Sequence, residues 1–225
     1  VDEVAETGST NADLLELASA GAPDRSVLRT AHQTAGRGRL DRSWDAPPGT
    51  NLLVSLLFRA VPAVPSELTW RVGLAAAAAC EAVAGADPVL KWPNDLLLGG
   101  RKLAGILAQS GVDHRPGHTD ARFVVVGIGL NVGWAPPRAA SLGEDIDPRE
   151  VLSALLCAYD ALPVDIVECY RARLDTIGRA VRIELPDGTT VEGRATDVQA
   201  DGRLVVLDDC GVTHRYDTGD IVHLR

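Results

Sequence analysis

The chain has 225 residues, 46% of them hydrophobic, with a mean hydropathy of +0.04 and a formal net charge of −9. That length holds one sizeable domain and a small second one, with the composition of a globular chain. The acidic balance argues against a nucleic-acid-coating protein, which needs a basic face, but leaves room for one small phosphate ligand met by a few local cations.

Four scattered cysteines, Cys80, Cys157, Cys169 and Cys210, make no CxxC spacing and have no histidine at ligand spacing. Neither a disulfide framework nor a zinc site is expected. The longest apolar run, Leu74 to Ala84, is too short to cross a bilayer and contains Glu81. The start, VDEVAETGSTN, lacks the basic and apolar parts of a signal peptide. These features predict a cytoplasmic protein with no membrane and no nucleic-acid partner.

In chain order, residues 10–20 carry Leu14, Leu15, Leu17 and Ala18 at helical spacing, with Thr10 or Asn11 available as N-cap. Ser26 to Ala31 predicts a short strand, and Arg37 to Thr50 a long Gly-, Pro- and charge-rich loop. Asn51 to Phe58 is a β run and Pro65 to Ala84 a helix of small residues. Val89 to Leu98, Leu103 to Ser110 and Phe123 to Gly129 predict strands of the same sheet. Helices follow near Asp147 to Ala161 and Val164 to Asp175. The alternation suggests an α+β sandwich. From Gly178 the texture changes to five short β runs separated by turns such as Pro-Asp-Gly and Ala-Asp-Gly, as in a small closed β-barrel packed on the first domain.

Of the 22 Lys and Arg residues, only Lys91 and Lys102 are lysines. A lysine surviving in so arginine-rich a chain suggests a place where a compact ammonium is wanted rather than a planar fork. Three polar blocks carry candidate chemistry. Gln33 to Trp44 packs Arg37, Arg39 and Arg42 around Gly36 and Gly38, which suits an anion surrounded by guanidinium and backbone donors under an apolar cover, Trp44. Asp41 stands where a Rossmann fingerprint needs its third glycine, and no Gly-Lys-Ser/Thr follows, so neither nucleotide motif applies. The same residues would also make a solvated basic loop.

Lys91-Trp92-Pro93-Asn94-Asp95 and Arg101 to Leu107 predict a hairpin that brings Lys91, Asp95 and Lys102 together. Two ammoniums beside one carboxylate suit an ATP site, with the carboxylate placed to hold Mg²⁺ or its waters. The alternative is a surface hairpin with ordinary cross-strand ion pairs. Gly127-Ile128-Gly129-Leu130-Asn131 ends a buried β run where a ligand can lie against bare backbone. Gly8-Ser9-Thr10-Asn11 sets hydroxyl and amide groups at a helix start, where plain N-capping is the bland alternative.

Together these five segments occur in the order found in biotin protein ligases, and the chain resembles that family over nearly its whole length. The resemblance implies an α+β fold. Residues 1–176 would form an SH2-like mixed-sheet catalytic domain of the class II aminoacyl-tRNA synthetase/biotin synthetase type, and 177–225 a small SH3-like β-barrel. No helix-turn-helix precedes Val1, which matches the class without an N-terminal DNA-binding domain.

The implied substrates are biotin and ATP, with Mg²⁺, and the implied partner is the biotin carboxyl carrier domain of acyl-CoA carboxylases. Ser9, Thr10, Asn11, Gln33, Gly36, Arg37, Lys102 and Gly105 would bind biotin. Arg37, Arg39, Arg42, Trp44, Lys91, Asn94 and Asn131 would bind ATP and the adenylate, with Lys102, Arg37 and Arg39 catalytic and Asp95 toward the metal. Residues 37–50 are expected to order as a lid over the adenylate.

The chain departs from the family at Asp41, where glycine is usual, and at Thr196, where an arginine often faces the nucleotide; Arg194 lies nearby. Trp134 is a further candidate to cover adenine. A lipoate protein ligase of the same fold, and a non-catalytic biotin- or nucleotide-sensing module, are the competing readings.

Overall fold

The computed structural model describes residues 1–225 except 41, 114–121, 186–187, 218 and 225. The first unit contains β1 (Asp2–Thr7), α1 (Thr10–Ser19), β2 (Val27–Gln33), β3 (Leu52–Phe58), α2 (Ser66–Ala84), β4 (Val89–Lys91), β5 (Asp95–Leu98), β6 (Arg101–Val112), β7 (Arg122–Leu130), α3 (Pro148–Ala161) and α4 (Val167–Arg173). Its seven strands run in the order β1-β2-β3-β7-β6-β5-β4. β1 pairs with β2 in parallel and every other ladder is antiparallel.

Two departures from the sequence reading have plain causes. β1 is a sheet edge whose side chains are nearly all exposed, so it carries no buried-face periodicity to read. Val89 to Leu98 is two strands rather than one, because the chain turns at Trp92-Pro93-Asn94 between β4 and β5.

The sheet is covered unequally. On one face α2 lies close because its middle is glycine and alanine; a Cβ at Gly73 would stand 3.0 Å from Leu90 Cδ2. Trp70, Val72 and the alanines of α2 join Val54, Leu56, Ile106, Val126 and Ile128 with Val151 and Leu155 of α3 in the main core. On the other face α1 covers only one end, where Leu14 and Ala18 pack on Leu28, Leu57, Phe123 and Val125. The rest of that face is the floor of a cavity.

β8 (Ala180–Glu184), β9 (Thr190–Val198), β10 (Leu204–Leu207), β11 (Thr213–Tyr216) and β12 (Asp220–His223) form an antiparallel sheet in the order β11-β10-β9-β8-β12. It docks firmly on the first unit. Trp92 Nε1 donates to Gly202 O at 3.0 Å, and Arg171 Nε to Val198 O at 2.9 Å. Gly202, at φ +93°, fits against α2 where a Cβ would come 2.7 Å from Ser66 Oγ. Trp92→Phe keeps a ring but strands the Gly202 carbonyl, so we expect a loss of about 1–3 kcal/mol of stability, read as a lower urea midpoint. All four cysteines are free, and burial pushes the Cys80 thiol up to about 12.

Candidate active site

Directly opposed residues of neighbouring strands share a face, so the pairing register lays out the cavity floor. Lys91 pairs with Asp95, Asp95 with Gly105, and Gly105 with Gly129. Two residues further along the strands, on the same face, Leu107 faces Gly127, and Gly127 faces Ser55. Charge therefore sits at the β4–β5 edge, bare glycine backbone in the middle, and small hydroxyl groups toward α1. The cavity above this floor has a volume of about 490 Å³, within the range of small-molecule sites.

Strict alternation along β6 would send Lys102 and Gly105 to opposite faces. A register shift against β5 between Leu96 and Leu97 breaks the alternation, so that both Leu103 and Ala104 enter the core. Lys102 is thereby returned to the cavity side. Its Nζ pairs with Asp95 Oδ1 at 2.7 Å and lies 5.7 Å from the centre of the Trp44 ring. Lys91, one strand beyond Asp95, is not among the residues lining the cavity. Burial pulls its ammonium below the ordinary lysine range, with Asp95 opposing that shift.

The roof is the arginine segment, which is a short hairpin rather than an open loop. Arg37 and Ser43 form an antiparallel bridge, Gly38 N donates to Arg42 O at 2.7 Å, and Trp44 N to Gly36 O at 2.9 Å. A Cβ on Gly36 would overlap Trp44 O, so Gly36 serves the hairpin neck and does not itself line the cavity. At the tip Leu40 takes φ +53°, a left-handed conformation, and Asp41 beside it lies outside the described residues. Arg37, Arg39 and Arg42 all line the cavity. Arg39 Nη1 donates to Asn94 Oδ1 at 3.2 Å, and burial draws its guanidinium below the usual value while Asp220 and Asp95 oppose.

Trp44 lies directly on the floor. A Cβ on Gly129 would overlap its indole, 2.9 Å from Cδ2, and one on Gly105 would be 3.1 Å from Cζ3. Its Nε1 is buried without a hydrogen-bond partner, leaving a donor for whatever enters.

The opposite end is neutral and hydrogen-bonding. Ser9 is the N-cap residue of α1 but makes no side-chain cap bond. Neither Thr10 nor Asn11 is the cap; both are buried and serve a polar network instead. Thr10 N donates to Gln33 Oε1 at 2.9 Å; Ser55 Oγ lies 2.7 Å from Thr10 Oγ1 and donates to Asn11 Oδ1 at 2.6 Å. Asn11 Nδ2 in turn donates to Leu107 O and Gln109 Oε1. That amide occupies the space over Gly127, where a Cβ would overlap Asn11 Oδ1.

Asn131, 2% exposed, donates to Ala140 O at 3.0 Å and accepts from Asn51 Nδ2 at 3.3 Å. Asn51 Oδ1 receives Val132 N and Trp134 N, which sets Trp134 at the cavity wall. Asn51, Ser55 and Asp220 were not singled out in the sequence. Ser55 interrupts the otherwise apolar strand LLVSLLF and Asn51 immediately precedes it, and a polar residue in so apolar a run was the available signal. Neither Thr196 nor Arg194 lines the cavity; Arg194 donates to Gly178 O at 2.7 Å, and the C-terminal unit contributes Asp220 instead.

A floor of backbone glycines, a paired lysine at one edge and an arginine roof define an α+β protein built to hold a small anionic ligand. Residues 4–131 match the biotin/lipoate A/B protein ligase family, and residues 176–224 match the biotin protein ligase C terminal domain. The chain is 42% identical to the biotin--[acetyl-CoA-carboxylase] ligase of Mycobacterium tuberculosis, over 100% of this chain and 89% of that one. It is 30% identical to the bifunctional ligase/repressor BirA of Bacillus spizizenii over 91% of this chain, but spans 65% of that relative's length. The fold matches the biotin protein ligase from Aquifex aeolicus, solved in complex with biotin and ATP, with a TM-score of 0.80, 24% identity, and coverage of 99% and 97% of the two chains. The chain belongs to the biotin/lipoate A/B protein ligase family.

Proposed function

We propose that the chain is a biotin protein ligase that activates biotin with ATP and transfers it to a lysine of the biotin carboxyl carrier domain of acetyl-CoA carboxylase. In this reading residues 1–176 are the catalytic unit and 177–225 the C-terminal unit. The biotin carboxylate attacks the α-phosphorus of ATP, pyrophosphate leaves, and biotinyl-5′-AMP forms. The carrier lysine then attacks the acyl carbon, and AMP leaves.

The observation that carries the reading is the polarity gradient of the cavity. Ser9, Thr10, Asn11 and Gln33 supply neutral donors and acceptors at one end, while Arg37, Arg39, Arg42 and Lys102 supply cations at the other. A ureido head with a carboxylate tail fits both ends. A dithiolane head offers no hydrogen-bonding group to the neutral end, which disfavours lipoate.

In the first step two anions must meet, and Lys102 stands beside the floor where the carboxylate tail would end, with the arginines above it. Their charge cancels the mutual repulsion most strongly where Trp44 excludes water. Asn131, Asn94 and Trp134, which line the cavity, would hold the nucleotide, and Lys91 would contribute through Asp95 rather than by contact. Mg²⁺ enters as part of the nucleotide substrate. Asp95 Oδ1 is already engaged by Lys102, and among the described residues no group of three or more His, Cys, Asp or Glu is placed to hold a metal. That donor set fits a cation that keeps its waters and phosphate ligands, with Asp95 as an outer partner.

Biotin-dependent exchange of labelled pyrophosphate into ATP tests the reading, with lipoate as control. Exchange with biotin and none with lipoate is the expected result; no exchange with biotin would sink it.

A further inference from the structure

The C-terminal sheet reaches the cavity at one corner, Gly219–Asp220, where β12 begins. Asp220 forms an ion pair with Arg42, and Gly219 O accepts from Arg39 Nη2 at 3.3 Å. Asp220 lines the cavity with its side chain 18% exposed, while the Arg42 side chain is 64% exposed. The corner itself is held fast. Gly219 has φ +148°, and a Cβ there would come 2.7 Å from Ile183 Cγ2 of β8. The sheet behind it is anchored through Trp92 and Arg171.

The arginine hairpin needs such a hold, because three guanidinium groups within six residues repel one another and its tip carries a left-handed leucine. On the catalytic side it is fixed by Arg39 to Asn94 and by Trp44 on the glycine floor. On the outer side its anchor is the Gly219–Asp220 corner.

We propose that this corner is the catch that keeps the arginine hairpin over the cavity, and that Asp220 is a positioning residue of the ligase. The inference rests on the ligase reading and adds a task for the C-terminal unit. A biotinyl adenylate open to solvent is lost when water attacks its acyl carbon: the acyl C–O bond to phosphate breaks, biotin and AMP separate, and a proton goes to solvent. A held hairpin slows that loss by excluding water. The pair is partly exposed, so the hold weakens as salt rises.

The test uses the full chain as Asp220→Asn, Asp220→Glu, Arg42→Gln and the Asp220→Asn/Arg42→Gln double variant. Two quantities are read: the rate of trypsin cleavage after Arg37 and Arg39, and the AMP released with biotin and MgATP in the absence of carrier. Asp220→Asn is expected to raise both several-fold with little change in melting temperature, Asp220→Glu to restore them, and Asp220→Asn to add nothing in the Arg42→Gln background. Unchanged cleavage and AMP release, or equal increments with and without Arg42, would overturn the catch. So would a fall in melting temperature shared by Asn and Glu without change in either readout. If the wild type shows no biotin-dependent exchange, the ligase reading fails, yet the cleavage arm still decides the catch. Intact exchange with unchanged cleavage rejects the catch alone.

Discussion

Lys102→Ala is expected to lower biotin-dependent pyrophosphate exchange by roughly 10²–10³-fold, the usual scale for losing one group that stabilises developing charge. The reason is local. Lys102 is the cation of the floor beside Gly105, and it neutralises Asp95 at 2.7 Å. Without it, Asp95 loses its 2.7 Å partner and opposes the two incoming anions, which weakens the attraction that the arginines still supply. Asp95→Asn in the Lys102→Ala background should therefore recover part of the loss. Lys102→Arg should not, because Lys102 Nζ lies close over Gly105 and 5.7 Å from the Trp44 ring centre, and a planar fork is broader than an ammonium. With a side chain 42% exposed, Lys102 contributes little to folding, so the thermal midpoint should move by no more than a few degrees. Parallel loss of melting temperature and exchange would show that the residue is structural.

Much of this site was legible in order along the chain. The two lysines, the arginine cluster and the Gly127 to Asn131 run all converge on one cavity or its rim, because the residue types carry their own chemistry. What was not legible depends on which way a side chain is turned. Lys102 reaches the cavity through a register shift of β6 against β5, and no spacing rule announces one. The arginine segment is long and polar, so it reads as a loop; its bridge between Arg37 and Ser43 arises from pairing within the segment, and its contact with the second unit from Arg39. Trp92 sits inside the most lysine-marked block, yet its indole turns away to bond Gly202 and bind the two units together.

The C-terminal contribution was the least accessible. Its five β runs are visible through their turns, whereas the docking of one corner against the cavity is a tertiary fact. The family resemblance points to an arginine on β9, but the residue that arrives is an acid at the head of β12. The difference changes the chemistry: an acid holds the protein's own arginines, where an arginine would hold phosphate.

Gly127→Ala is the sharper test of the neutral end. Read from the sequence, Gly127 lets a ligand approach the backbone. In the structure its missing Cβ is filled by Asn11, whose amide would be overlapped by an alanine methyl with its Cγ 2.9 Å away. Asn11 must then move, breaking its bonds to Leu107 O and Gln109 and its contact with Ser55. We expect a destabilisation of about 2–4 kcal/mol, from overpacking a central strand and stranding buried polar atoms. Biotin affinity should fall by roughly 10–100-fold, since Thr10, Ser55 and Gln33 are oriented by the same network. Adding Asn11→Ala removes the overlapped amide, so the double variant should regain stability over Gly127→Ala while biotin affinity stays low. Calorimetric titration with biotin beside thermal melts separates the two effects. Wild-type affinity in Gly127→Ala would mean that the Asn11 network carries the helix start and not the ligand.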